Sequence, residues 1–317
     1  MRTLVTGASG FVGRHLVEAL RSQDAEIVVC GGPHEASGDF LGLDLNDLTA
    51  IRAALDVARP AVVFHLAAQT FVPESFASPL ATYQTNAIGT ALLAQAVHEY
   101  VRAGEPMPRI VFTSSAEVYG ARDAADFPLH ETLDLRPANP YAASKAAAEA
   151  ILLSESRSRG LDAVVARSFN HIGPGQSDRF VVASFARQLA GIASGANPLL
   201  LVGNLNAARD FLDVRDVVAA YLALARDGES GEAYNVCSGN GIKIRDILRE
   251  LIAIAHVPVE VREDPQRMRP LDVPVFIGSA EKLRARTGWR PAVPLARSLR
   301  EIYAEALAVA GNPTSAS

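Results

Sequence analysis

Two hydrophobic rhythms alternate along the first half of the chain. Short, wholly apolar runs such as Ile27-Val28-Val29-Cys30, Val62-Val63-Phe64 and Ile110-Val111-Phe112 carry no polar alternation. They predict strands covered on both faces, the pattern of a parallel sheet. Strands are expected over 2–6, 26–30, 40–45, 61–65, 109–113 and 163–167. Between them apolar positions recur at helical spacing: Phe11, Leu16, Val17 and Leu20, then stretches over 47–58 and 79–101, then an alanine-rich run from Ala142 to Ala150. Strand and helix signals alternate with no hairpin turn between them, which predicts right-handed βαβ units. The expected fold is α/β, a doubly wound parallel sheet with a smaller α/β lobe. Residues 1–168 and about 208–238 would build the sheet domain, 169–207 and 239–313 the lobe, and 314–317 a tail.

Composition narrows the class without choosing within it. The 317 residues are 49% hydrophobic and 21% charged with a net charge of −5, ordinary globular usage that points to no nucleic-acid or anionic-membrane partner. No apolar run approaches the roughly 20 residues that span a bilayer. Glycine interrupts the N-terminal apolar residues too early for a signal peptide. The two cysteines, Cys30 and Cys237, sit in apolar runs and read as buried thiols of a reducing compartment, not as a disulfide or metal site. A cytoplasmic protein without a metal is expected.

Candidate chemistry lies at the carboxyl ends of the strands, where doubly wound sheets bind ligands. Gly7-Ala8-Ser9-Gly10-Phe11-Val12-Gly13 joins the first strand to the first helix. Such a turn lets the backbone approach a pyrophosphate, and the helix N-terminus supplies N–H donors and a positive dipole end. The spacing is one residue longer than G-x-G-x-x-G, and by itself it also fits a plain tight turn. Gly31-Gly32-Pro33-His34 follows the second strand. No carboxylate stands there to repel a 2′-phosphate and no arginine to bind one, although His34 can approach it. This favours NADP(H), with NAD(H) as the alternative. His65 reads as a packed strand-end histidine, and the small residues of Leu66-Ala67-Ala68 admit a cofactor close to the backbone. Ser115 and Glu117 follow the fifth strand, and a long proline-containing connection covers 120–139, more often functional than idle at that length. Tyr141 and Lys145 lie four apart at the start of the alanine-rich helix, hence on one face. An ammonium there would lower the phenol's pKa and let the pair exchange a proton with a substrate oxygen. Alone, the pair also fits a solvated helix face.

Taken jointly, Gly7, Gly10 and Gly13, Asp44, His65-Leu66-Ala67-Ala68, Asn86-x-x-Gly89-Thr90, Ser115 and Tyr141-x-x-x-Lys145 resemble, in order and spacing, the extended short-chain dehydrogenase/reductases. That family acts largely on nucleotide sugars. The second half sharpens the likeness: Asn170-His171-Ile172-Gly173-Pro174-Gly175-Gln176, Arg209-Asp210-Phe211-Leu212-Asp213, Tyr234-Asn235-Val236, Arg269-Pro270 and Thr287-Gly288-Trp289 look most like the GDP-4-keto-6-deoxy-D-mannose reductases. The resemblance runs from Gly7 to about Leu295.

It implies a Rossmann domain and reduction of the C4 ketone of GDP-4-dehydro-6-deoxy-D-mannose to GDP-D-rhamnose, a precursor of cell-surface polysaccharide. The cofactor would lie on Gly7, Gly10, Phe11, Val12, Gly13, Asp44, Leu45, Leu66, Ala67 and Ala68, with Tyr141 and Lys145. Tyr141 would be the proton donor, Ser115 would bond the same substrate oxygen, and Lys145 would hold the nicotinamide ribose. Arg209 and Arg269 are candidate diphosphate clamps because a guanidinium meets phosphate bidentately. Asn86, Asn170 and Arg187 are further candidates for substrate contact, whereas His171 and Trp289 read as structural. Glu117 matches the position of a dehydratase base and keeps that reaction open. A C4 epimerase, a 6-deoxytalose-forming reductase and a catalytically inactive dinucleotide-binding regulator are the other readings. The resemblance also implies a homodimer joined by a four-helix bundle of the 79–101 helix and the helix after Tyr141.

Overall fold

The computed structural model describes residues 2–33, 35, 40–267 and 273–311. In chain order the elements are β1 (Arg2–Thr6), α1 (Phe11–Arg21), β2 (Glu26–Gly31), β3 (Phe40–Gly42), α2 (Leu48–Ala58), β4 (Val62–His65), α3 (Val72–Ala77), α4 (Pro79–Tyr83), α5 (Gly89–Arg102), β5 (Arg109–Ser115) and α6 (Pro140–Arg159). Then come β6 (Ala163–Ser168), β7 (Asn170–Ile172), α7 (Val181–Ala193), β8 (Leu199–Val202), β9 (Ala208–Asp213), α8 (Val214–Asp227), β10 (Ala233–Val236), β11 (Gly241–Lys243), α9 (Ile244–Ala255), β12 (Glu260–Glu263), β13 (Val275–Phe276), α10 (Glu281–Thr287) and α11 (Leu295–Gly311).

The main sheet has seven strands in the order β10-β6-β5-β4-β1-β2-β3, every pair parallel. This is the doubly wound Rossmann order, reversing direction beside β1. Alternate residues of each central strand feed opposite layers. Val5, Phe64, Val111 and Ala166 pack with Leu16 and Leu20 of α1 and Val217 and Leu224 of α8. Leu4, Val63, Ile110, Phe112 and Val165 pack with Leu55 of α2, Leu93 and Val97 of α5 and Leu152 of α6. Unbroken apolar strands and one-sided helices thus answer each other across both faces of the sheet. A third core holds the smaller lobe, with Phe185 and Leu189 of α7, Leu248 and Leu251 of α9 and Leu299 of α11 over Phe211.

Several expected boundaries move. The third strand, expected over 40–45, ends at Gly42. Beyond it Asp44 Oδ1 accepts the Asn46 N–H at 2.9 Å, a turn that leads into the Asp47 cap of α2; local turn chemistry outcompetes strand pairing. The 79–101 helix is interrupted by a π turn at 84–88 between α4 and α5, a widening frequent at functional sites. The chain's return to the main sheet is made by α8 and β10, whereas β9 pairs with β7, β11 and β13 in the smaller sheet. Trp289 is core, as expected, but of the sheet domain: its indole donates to Asp216 O on α8 at 3.0 Å.

Candidate active site

The glycine turn is built so tightly that only glycine fits. A Cβ on Gly13 would come within 2.2 Å of Gly7 O. One on Gly7, which has φ +69, would come within 2.6 Å of Ala67 N. The turn therefore lies against the Leu66-Ala67-Ala68 segment, which Thr6 ties down by accepting Ala67 N–H on Oγ1 at 3.2 Å. No side chain caps α1, so its first-turn N–H groups remain available to an anion. A dinucleotide's diphosphate fits this cradle. Phe11 and Val12 open the helix there. Asp44 Oδ1 accepts from Asn46 within its own turn, and Leu45 is buried against Gly89.

The end of β2 holds a residue that sequence reasoning missed. Glu35 folds back so that its Oε2 accepts Ser9 Oγ–H at 2.5 Å and Gly32 N–H at 2.8 Å. These bonds hold its carboxyl below the usual range. The expectation of no carboxylate at this strand end is thus corrected. Residues 31–34 carry none, but the turn brings in the next residue, Glu35, one position further along the chain. His34 lies outside the described residues.

At the end of β5, Ser115 accepts Glu117 N–H on Oγ at 3.2 Å. The helix α6 starts at Asn139, whose Oδ1 caps Ala142 N–H at 2.8 Å, with Pro140 in the first turn. This fixes Tyr141 and, one turn on, Lys145 over the strand end. The Tyr141 hydroxyl lies beside Ser115, which opposes part of its rise in pKa. Lys145 Nζ donates to Thr113 O at 2.8 Å and sits 4.8 Å from the centre of the Phe112 ring. Glu117 Oε2 accepts Asn139 Nδ2–H at 3.1 Å, so this carboxylate braces the cap of the helix that carries Tyr141.

The electrostatics differ from expectation. Burial pushes the Tyr141 phenol up to about 12, Ser115 opposing and Glu117 adding to the rise. Burial also pulls Lys145 down to about 7, against the carboxylate of Glu149. The anticipated lowering of the phenol by Lys145 is not seen, because desolvation of a buried phenol outweighs its neighbours. Tyr141 is therefore a firmly protonated donor. His65 stays neutral, pulled down to about 3 by burial and then by Lys145. Its Nδ1 meets Thr6 Oγ1 at 2.8 Å and its Nε2 meets Thr90 Oγ1 at 3.1 Å, the packed histidine expected.

Asn86, expected to contact substrate, is held by its neighbours. It is buried, its Oδ1 accepts Gln69 N–H at 2.8 Å, and its Nδ2 donates to Gln69 O and Ser144 Oγ, both at 2.9 Å. Both amide hydrogens are committed, so Asn86 braces the loop after β4 against α6 and does not reach out to a ligand. Asn170 is exposed at the start of β7. Arg187, exposed on α7, pairs with Asp178 at 3.4 Å. Arg209 lies on β9 with Nη1 donating to Ala208 O at 2.9 Å. Arg269 lies outside the described residues. His171 is half-buried and stacked on Phe11, ring centres 6.0 Å apart, which couples the lobe to the glycine turn.

A cradle for a dinucleotide beside a serine, tyrosine and lysine at strand ends is the constellation of a short-chain dehydrogenase/reductase. The chain matches the GDP-mannose 4,6 dehydratase family over residues 4–302 and belongs to that branch of the extended short-chain dehydrogenase/reductases. It is 43% identical to the GDP-6-deoxy-D-mannose reductase of Pseudomonas aeruginosa over 96% of each chain. It is 30% identical to the GDP-6-deoxy-D-talose 4-dehydrogenase of Aggregatibacter actinomycetemcomitans, covering 89% of this chain and 90% of that one. Among solved structures it resembles RMD from Pseudomonas aeruginosa complexed with NADPH, with TM-score 0.86 and 40% identity over 97% of this chain and 99% of the other. It also resembles the UDP-glucose 4-epimerase of Thermus thermophilus complexed with NAD, with TM-score 0.84 and 32% identity over 96% and 99% of the two chains.

Proposed function

We propose that the protein reduces the C4 ketone of GDP-4-dehydro-6-deoxy-D-mannose to give GDP-D-rhamnose. The observation that carries this reading is the near full-length likeness to a GDP-6-deoxy-D-mannose reductase, joined to a protonated Tyr141 beside Ser115. NADPH is the favoured hydride donor, as in the similar reductase complexed with it, and NADH is the alternative. The nicotinamide, when bound, supplies hydride to C4.

The chain's own residues do the rest. Negative charge develops on the carbonyl oxygen, Tyr141 gives it a proton, and Ser115 hydrogen-bonds the same oxygen, so charge is met where it appears. The tyrosinate left behind is offset by the Lys145 ammonium one helical turn away. Gly7, Gly10, Phe11, Val12, Gly13 and the Leu66-Ala67-Ala68 segment hold the dinucleotide, with Lys145 on its ribose. Residues 1–168 with α8 and β10 act as the cofactor domain, and the segments that carry β7, α7, β8, β9, β11, α9, β12 and α11 as the substrate lobe. There Asn170, Arg187, Arg209 and Arg269 are the candidates for the sugar and diphosphate. The chain pairs as a homodimer through α5 and α6, a reading supported by Leu80 and Ile88, which stand 82% and 45% exposed on the α4–α5 rod beside α6. It works in the cytoplasm, where nucleotide sugars are made; no helix among the described residues is long and apolar enough to cross a membrane.

The test couples the protein to a GDP-mannose 4,6-dehydratase with NADPH or NADH and determines the C4 configuration of the product by NMR. GDP-D-rhamnose is the expected product. GDP-6-deoxy-D-talose, or consumption of GDP-mannose by this protein alone, would replace the reading with a talose-forming reductase or a dehydratase.

A further inference from the structure

Beneath Ser115, Tyr141 and Lys145 lies a buried polar network that the chemistry above leaves unused. Glu149, one turn beyond Lys145 on α6, is 1% exposed. Its carboxylate takes Arg167 through both oxygens, with Nη2–Oε2 2.8 Å, Nε–Oε2 3.0 Å and Nε–Oε1 3.2 Å. Ser114 Oγ donates to the same carboxylate. Arg167 Nη1 donates to the Tyr119 hydroxyl at 2.9 Å, and Tyr119 donates to Asn235 Oδ1 at 2.7 Å. The network links β5, α6, β6 and β10. A buried ion pair is a weak source of net stability, since desolvation offsets most of the attraction and apolar residues of similar volume often serve as well. Its place next to Lys145 gives it another use.

Lys145 is 2% exposed, and its Nζ–Thr113 O bond has a neutral acceptor. Interior lysines lose their charge unless a nearby anion holds it. The charged and titratable groups around Lys145 are few. His65 faces it from β4, clamped between two threonine hydroxyls. Tyr141 and Glu149 lie on its own helix, Glu117 and Tyr119 follow β5, and Arg167 comes from β6. Glu117 is bonded to the Asn139 cap at the far end of the Tyr141 turn. Burial pulls Lys145 down to about 7, and Glu149 alone among these groups pushes it back up. Glu149 follows Lys145 by four residues on α6, so the acidic member of the ion pair shares the helix face of Lys145 one turn on.

We propose that Glu149 is a positioning residue for the proton transfer: clamped by Arg167 and Ser114 one turn beyond Lys145, its carboxylate keeps the Lys145 ammonium charged beside Tyr141. The proposal rests on the proton-donor reading of Tyr141 and Lys145, but its test requires neither substrate nor turnover. Lys145, Lys243 and Lys282 are the only lysines in the chain. In protein labelled with ¹³C at the lysine Cε, three signals are therefore expected, assigned through Lys243→Arg and Lys282→Arg. Each signal reports its own ammonium directly as pH is varied.

Glu149→Gln alone leaves a buried guanidinium unpaired and endangers the fold. Glu149→Gln/Arg167→Met removes both charges and leaves the net charge unchanged. The wild-type Lys145 midpoint is expected at about 7, and in the double variant it falls by about one pH unit, a tenfold change in the ratio of charged to neutral lysine at fixed pH. Glu149→Asp, which keeps the charge, should stay near the wild-type midpoint. In the turnover assay the alkaline fall of kcat moves to lower pH in the double variant by the same amount. A Lys145 midpoint at the ordinary lysine value in wild type overturns the proposal. So does a double variant whose Lys145 titrates as wild type, since Glu149 then only partners Arg167.

Discussion

Replacing Tyr141 with phenylalanine removes one hydroxyl and leaves the ring, so the structure permits a sharp expectation. That hydroxyl is buried, lies beside Ser115, and is held protonated with its pKa pushed up to about 12. A donor in that state keeps its proton throughout the working pH range. A positioned acid contributes about 10²–10⁴-fold, or roughly 3–5 kcal/mol of barrier. The nearby Tyr221 hydroxyl cannot substitute, because it is committed to Ser168 Oγ at 2.6 Å. Tyr141→Phe should therefore lower kcat by about 10²–10⁴-fold, while loss of the hydroxyl costs no more than about 1 kcal/mol of stability. Ser115→Ala should cost about 10²-fold or more. Because both groups address the same oxygen, the double variant should fall well short of the product of the two losses. The assay is stopped-flow oxidation of NADPH with the 4-keto sugar, alongside NADPH affinity by fluorescence titration, expected to stay within about threefold because the hydroxyl acts on substrate. A Tyr141→Phe enzyme turning over within threefold of wild type would refute the proton-donor assignment. Strictly multiplicative single and double losses would refute a shared oxygen.

The remaining predictions follow from individual contacts. Glu35→Ala removes the carboxylate beside Ser9, so NADPH should bind more tightly and NADH more weakly, shifting the ratio of their Kd values by about tenfold; an unchanged ratio in calorimetry would count against a role in cofactor choice. Asn86→Ala leaves buried partners at Gln69 and Ser144 unmet and should destabilise by about 2–3 kcal/mol in urea unfolding, with kcat reduced through loosened α6 geometry; full stability would show that the brace is dispensable. His65 has a folded pKa of about 3 against 6.5 unfolded. The unfolded chain thus binds the extra proton first, and stability is full above pH 6.5 and lost as pH falls toward 3. Between pH 7 and pH 5 the loss should be about 2 kcal/mol, and His65→Gln should flatten that slope; an unchanged slope would assign the acid sensitivity to other groups such as His171.

The sequence by itself determined the layers and much of the chemistry of this protein. Wholly apolar runs within β2, β4, β5 and β6 can be satisfied only by burial on both faces, and the one-sided helices between them can bury only their apolar stripe. Glycine at positions 7, 10 and 13, the four-residue step from Tyr141 to Lys145, and the polar strand end at Ser115 are local features that period and residue type disclose. What tertiary structure decided depended on contacts far apart in sequence. Glu35 reaches the glycine turn only because β1 and β2 lie side by side. Asn86 became a brace because the π turn faces it toward Gln69 and Ser144. The protonation states of Tyr141 and Lys145 follow from how deeply α6 is buried against β5, since desolvation is a property of packing and not of spacing. Glu149, four residues past Lys145 and unremarked in the sequence, acquires its place only when β6 brings Arg167 to meet it.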